Sequence, residues 1–192
     1  MGLQETLDRH FRDAERGGYF LTSDDGEALL TRDKPSYDGA EPSGNSVALL
    51  NLSRLAELTA DDRYRQRADE ILQAFGSSLE QAPTALAKML AALDFRLDTA
   101  KEIILVKPDE RASEEAMLAR LRQTFLPSRV LAVAVEGPDL AAQKKLVPLF
   151  EGRKTIGGKV TAFVCEAQVC KLPTTDPEVF AKQIAARTPV SR

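Results

Sequence analysis

The 192 residues suffice for a sizeable core, as one large or two small domains. With 43% hydrophobic and 29% charged residues, the composition is that of an ordinary soluble globular protein. A net charge of -3 and a pI near 5.4 argue against nucleic acid as a partner, because such binding needs a basic face. No apolar run approaches the ~20 residues that span a bilayer, so no membrane partner is expected.

The first 17 residues are amphipathic and charged, without the apolar stretch of a secretory signal, so the expected compartment is the cytoplasm. Met1-Gly2 with Thr6 makes only a weak match to a myristoylation signal. Cys165 and Cys170 in such a chain point to a reducing compartment and free thiols.

In chain order, residues 3–16 read as a helix with Leu3, Leu7, His10, Phe11 and Ala14 on one face, ended by Gly17-Gly18. His10, the only histidine, reads as a packed or capping residue. Residues 19–22 are extended, and Ser23-Asp24-Asp25-Gly26 is a turn. Residues 27–42 form a long irregular loop, a feature that favours function. The loop ends at Pro42-Ser43-Gly44-Asn45, where Ser43 and Asn45 are both preferred N-caps for a helix over 44–58. Tyr37 and Asp38 precede Pro42 and cannot cap that helix.

Asp61 is the next N-cap. The helix after it carries Tyr64, Ala68, Ile71, Leu72, Phe75 and Leu79 in one apolar stripe. Pro83 and Thr84 open another helix, with Leu86, Met89, Leu90, Leu93 and Leu97 on one face. Short connections between such helices predict antiparallel helical hairpins. In an isolated chain the faces with Leu50, Leu55, Leu90 and Leu93 are expected to lack cover, which favours a homodimer or an upstream fragment as partner.

The pattern changes near residue 99. Residues 102–106, 129–135 and 159–165 read as apolar strands, with a fourth at 168–171. Helices are expected at 113–125 and after Asp176-Pro177. Strands alternating with helices predict a small α/β module with a mainly parallel sheet covered on both faces. The domains expected are helical hairpins over 1–98, an α/β domain over 99–187, and a loose tail at 188–192.

Three stretches carry candidate chemistry. Asp24, Asp25, Asp38 and Glu41 are loop carboxylates, but their spacing assembles neither a glycosidase pair nor an epimerase base, and each is an ordinary turn former. Whether the chain is an enzyme stays open. Cys165 and Cys170 have four residues between them, not the two of a thioredoxin motif. If residues 166–169 turn tightly, the sulfurs face each other as a redox pair. If the segment is one straight strand they point apart, as two small buried hydrophobes. Two ligands are too few for a structural metal, so no metal is expected. Gly157-Gly158-Lys159 and Glu136-Gly137-Pro138 match no nucleotide fingerprint, and no cofactor is expected.

Several of these residues together carry a resemblance. The run from Tyr37-Asp38-Gly39-Ala40 through Pro42-Ser43-Gly44-Asn45-Ser46 to Leu58-Thr59, the Gly17-Gly18-Tyr19-Phe20 segment, and Phe163-Val164-Cys165-Glu166 with Cys170, Pro173 and Asp176-Pro177 fall in the order seen in one family. The chain resembles the C-terminal part of the thioredoxin-domain-containing proteins of the spermatogenesis-associated protein 20 type, from about residue 17 to about residue 184. The resemblance implies that residues 1–98 close an (α/α) toroid similar to N-acylglucosamine 2-epimerases and six-hairpin glycosidases. It implies that Tyr37, Asp38, Ser43 and Asn45 line the toroid's mouth toward a carbohydrate-like small molecule, with the upstream toroid and thioredoxin-like domains as partners. The absence of tryptophan is unusual for a sugar cleft.

Overall fold

A computed structural model of the chain describes residues 2–28, 30–167 and 169–186. The expected tail at 188–192 and Gln168 of the expected fourth strand lie outside these residues. The chain divides into two compact units. One holds the residues up to Ala56 with Asp61–Leu97; the other holds Glu57–Ala60 with the residues from Asp98 onward.

The first unit is helical: α1 (Gly2–His10), α2 (Gly44–Thr59), α3 (Asp62–Gln81) and α4 (Ala87–Leu97), the last entered through a 3₁₀ turn at Pro83–Leu86. The apolar stripe predicted for α3 is buried at Tyr64, Ala68, Ile71, Phe75 and Leu79. Asp61 caps α3 as expected, its carboxylate accepting the Arg63 amide at 3.0 Å. Ala60 before it sits at φ 54, the left-handed position that stops α2. Leu50 is buried, and Leu55, Leu90 and Leu93 are half-buried, so the faces expected to be bare are largely covered.

The first helix is shorter than the 3–16 expected. Asp13 is the cause: its Oδ1 accepts the amides of Glu15 and Arg16, both at 3.0 Å, a local turn that competes with the helix. Gly17 and Gly18 therefore do not terminate it. Both hold positive φ, and a Cβ on Gly17 would stand 2.5 Å from the Glu70 carbonyl oxygen of α3. The pair is needed so that backbone can pass directly over backbone.

The second unit contains β1 (Lys101–Lys107), α5 (Glu115–Gln123), β2 (Arg129–Val135), α6 (Pro138–Gln143), β3 (Thr161–Glu166), β4 (Val169–Cys170) and α7 (Pro177–Ala185). The sheet order is β2-β1-β3-β4. β1 and β2 are parallel across the α5 crossover, but β3 runs antiparallel to β1, and β4 antiparallel to β3. The sheet is therefore mixed and not mainly parallel. Alternating strands and helices imply parallel crossovers only where the intervening helix carries the chain back along the sheet, which α6 does not do. The chain re-enters at the end it left: Thr161 opens β3 opposite Val106, near where β2 finishes.

Both faces of the sheet are covered. On one, Ile103, Leu105, Ala162 and Val164 meet Met117 and Leu121 of α5 and Phe180 and Ile184 of α7. On the other, Ile104, Val106, Ala132, Ala134 and Phe163 meet Leu140 of α6 and Phe150. α6 and the 3₁₀ turn at Pro148–Phe150 were not foreseen, because six- and three-residue elements show no periodicity. Asp176 caps α7, with Pro177 in its first turn, as expected.

Leu105, at the centre of the sheet and 0% exposed, sets the cost of a defect in this core. Leu105→Ala is expected to destabilise the second unit by about 2–5 kcal/mol, read as a lower urea midpoint with an unchanged slope.

Candidate functional site

The loop residues singled out from the sequence come close together, but they bind the chain to itself. Ser43 is the N-cap of α2: its hydroxyl oxygen accepts the Ser46 amide at 3.1 Å, and the two hydroxyls lie 2.8 Å apart. Asn45, 1% exposed, does not cap. Its carbonyl oxygen accepts the Tyr19 amide at 2.7 Å, and its NH₂ donates to the carbonyls of Tyr19 and Pro35, both at 2.9 Å. Asp38 accepts the Ser43 amide at 2.8 Å on one oxygen. Its other oxygen accepts the amides of Lys88 and Met89, at 2.8 and 3.1 Å, in the first turn of α4. Asp38 thus cannot cap α2, as expected, but it does cap a helix some fifty residues away, which no local pattern announces. Tyr37 differs from the other three: its ring is exposed.

The second candidate is assembled by the β3–β4 hairpin. Ala167 takes φ 49 at the turn, and the register sets Cys165 opposite Cys170 and Glu166 opposite Val169. The two sulfurs are joined as a disulfide, so the expectation of free thiols gives way to the tight-turn alternative. Residues five apart in a two-residue hairpin are direct cross-strand neighbours, not occupants of opposite faces. Cys165 is buried and Cys170 exposed.

The Arg153 guanidinium lies over the pair, one nitrogen 3.1 Å from the Cys165 sulfur and 3.3 Å from that of Cys170. Its Nε–H donates to the Leu149 carbonyl at 2.8 Å, and its plane sits 4.8 Å from the Phe163 ring centre. Burial lowers the Arg153 pKa, against the pull of Glu102. Glu102 stands opposite Cys165 on β1. Burial, then the nearby Glu57 charge, raise its pKa above the usual carboxylate range. Arg153 was missed from the sequence because it lies in an irregular segment with nothing around it to mark a site.

Two further clusters also escaped the sequence reading. His10, expected to be packed or capping, holds Asp24 at 2.9 Å and Asp25 at 3.5 Å, a partly exposed set of three potential donors within 4.8 Å of one another. In the other cluster the Tyr19 hydroxyl donates to Asp8 at 2.6 Å, and Asp8 also pairs with Arg67. Burial, and then the Asp8 carboxylate, push the Tyr19 pKa upward.

No protein-family model matches the chain. It is 34% identical over 176 residues to human spermatogenesis-associated protein 20, a match covering 91% of this chain and 22% of that protein. The rat protein of the same name is 32% identical over the same span. An uncharacterised Caenorhabditis elegans protein is 28% identical over 172 residues, 89% of this chain and 23% of its own length. The chain thus spans between a fifth and a quarter of the length of these relatives. No described helix is long and apolar enough to cross a membrane.

The hydrogen bonds to Asp38 fix the sign of its contribution to stability. Burial raises its pKa, but the donors Ser43, Ser46, Met89 and Lys88 outweigh burial and hold it below the ordinary value. A depressed carboxylate contributes stability above the unfolded pKa of ~3.9 and loses it as pH falls through the folded value. Asp38→Asn is expected to cost about 1–3 kcal/mol at pH 7, with the gap to wild type closing below about pH 4. Urea denaturation across that range is the measurement. Equal stability at pH 7 would show that the carboxylate does not hold α4.

Proposed function

We propose that this chain is the C-terminal portion of a longer protein of the thioredoxin-domain-containing, spermatogenesis-associated protein 20 type, and that it serves there as a structural module. The observation that carries this reading is the match over 91% of this chain to only 22% of the human relative. In this reading residues 1–98 are antiparallel hairpins closing an (α/α) toroid, and residues 99–187 a small α/β domain. The structural role is supported by the use of Asp38, Ser43 and Asn45 as internal staples. What the loop offers a carbohydrate-like ligand in the complete protein is the exposed ring of Tyr37, an apolar face of the kind sugars stack on. The partner that fits is the upstream part of the same protein, ahead of a second copy of this chain.

Co-expression tests the module directly. The upstream part of a full-length relative, supplied as a separate chain, is expected to co-purify with this one and to raise its melting temperature, as any partner of the folded state does. A monomer indifferent to the upstream part would overturn the reading. A thermal-shift screen of mono- and disaccharides, N-acylated hexosamines and sugar phosphates on the full-length relative tests the cleft. A shift abolished by Tyr37→Ala is expected, and no shift with any sugar removes the carbohydrate.

A further inference from the structure

We infer that Cys165–Cys170 is a redox-active disulfide that exchanges with a dithiol, with Arg153 as the residue that stabilises the departing Cys165 thiolate. The inference rests on the second unit alone and does not depend on the toroid.

The two sulfurs are unequal in a way that gives the exchange a direction. Cys170 is exposed on a two-residue strand, between Val169 and Leu172, which are 73% and 85% exposed. Cys165 is 1% exposed, next to last in β3. An incoming thiolate therefore reaches the Cys170 sulfur, and the leaving group is Cys165. Exchange is fastest when the leaving thiol has a low pKa. A thiolate expelled into an apolar sheet interior would be a poor leaving group, because burial disfavours the charged form. Here a guanidinium nitrogen already stands 3.1 Å from that sulfur. The guanidinium is itself fixed from both sides, by the Leu149 carbonyl and the Phe163 ring, so it needs no reorganisation when charge appears.

The charges around Cys165 come from three elements: Arg153, Glu102 across the sheet on β1, and Glu57 acting on Glu102 from the last turn of α2. Glu102 opposes the thiolate when ionised. Its burial, which favours the protonated form, lessens that opposition.

The steps balance with a dithiol as co-reactant. One thiolate of the dithiol attacks the Cys170 sulfur; a mixed disulfide forms, the Cys165–Cys170 bond breaks, and the electron pair leaves on Cys165 beside Arg153. The second thiolate of the dithiol then attacks its own partner's sulfur in the mixed disulfide and expels the Cys170 thiolate. The dithiol is oxidised to a disulfide by two electrons, and the protein is reduced to two thiols, with protons exchanged with water. The reverse sequence makes the reduced pair a reductant for a disulfide.

The full chain is equilibrated in defined ratios of reduced and oxidised dithiothreitol under native conditions, quenched with an alkylating agent and weighed by mass spectrometry. Reversible interconversion of Cys165–Cys170 in the folded protein is expected. Arg153→Met is expected to require about tenfold more dithiol for half-reduction, the loss of one hydrogen bond to a charged group. Arg153→Lys should retain most of the wild-type behaviour. A second measurement stands independently of whether Arg153→Met folds. In Cys170→Ser, the ultraviolet absorbance of the Cys165 thiolate is expected to titrate below the ordinary thiol value of ~8.5. A Cys165 midpoint at or above that value, an Arg153→Met protein with wild-type half-reduction, or a disulfide that yields only after urea has unfolded the chain would each overturn the inference.

Discussion

The side chain of Asn45 is the interaction on which the first unit depends. One buried amide forms three hydrogen bonds with backbone outside the helices: the N–H and C=O of Tyr19 and the C=O of Pro35. Irregular backbone in a core is costly unless each polar group finds a partner. Asn45 supplies partners to two separate stretches from a rigid place, the first turn of α2. The close passage of Gly17-Gly18 over α3 follows from this anchoring, since a Cβ on Gly18 would lie 3.1 Å from both the Asn45 carbonyl oxygen and the Phe75 ring. Asp38 then extends the same device, tying the loop to the opening of α4.

The second unit is organised differently, by a sheet with two covered faces. Its parallel pair is the expected βαβ crossover, and its antiparallel half comes from a connection that returns to the sheet at the end it left. That return gives β3 a free edge on which β4 can fold, and the tight turn at Ala167 then fixes Cys165 opposite Cys170. The cysteine pairing is therefore a consequence of the hairpin register.

The parts legible in the sequence were those with strong local signals. The α3 stripe, the Asp61 and Asp176 caps, and β2 at residues 129–135 appear where the pattern put them. Most of what was not legible depended on long-range pairing, with one local exception. Asp13 ended α1 early through a side-chain turn, a short-range effect masked by good helix formers on either side. The direction of β3 depends on where the segment 136–160 re-enters the sheet, which no local pattern announces. At the candidate sites, sequence spacing brought Asp38, Ser43 and Asn45 to one place but gave no account of their partners: Asn45 could not be told from a cap, nor Asp38 from an ordinary turn aspartate. Arg153 is the clearest omission. Its partners are 12 and 17 residues downstream, and they meet it only once the hairpin has formed.

The two candidate sites differ in how their polar groups are used, and this difference bears on function more than residue type does. In the loop, the conspicuous groups are saturated by backbone: Asp38 by three amides, Asn45 by three carbonyl or amide partners. A ligand would have to displace these bonds, and leaving a buried backbone group unpaired costs about 1–3 kcal/mol. At the hairpin, the guanidinium of Arg153 is directed at two sulfurs, which are weak acceptors while they are bonded to each other. Its full value as a donor is reached only when one sulfur carries charge, as hydrogen bonds to ionised groups are the strong ones. An arginine kept in a partly buried place, with its pKa lowered by that burial, is thus poorly used in the oxidised form and well used in the reduced one. In the inferred exchange the hairpin has two chemical states that the same side chain can tell apart, whereas the loop has one.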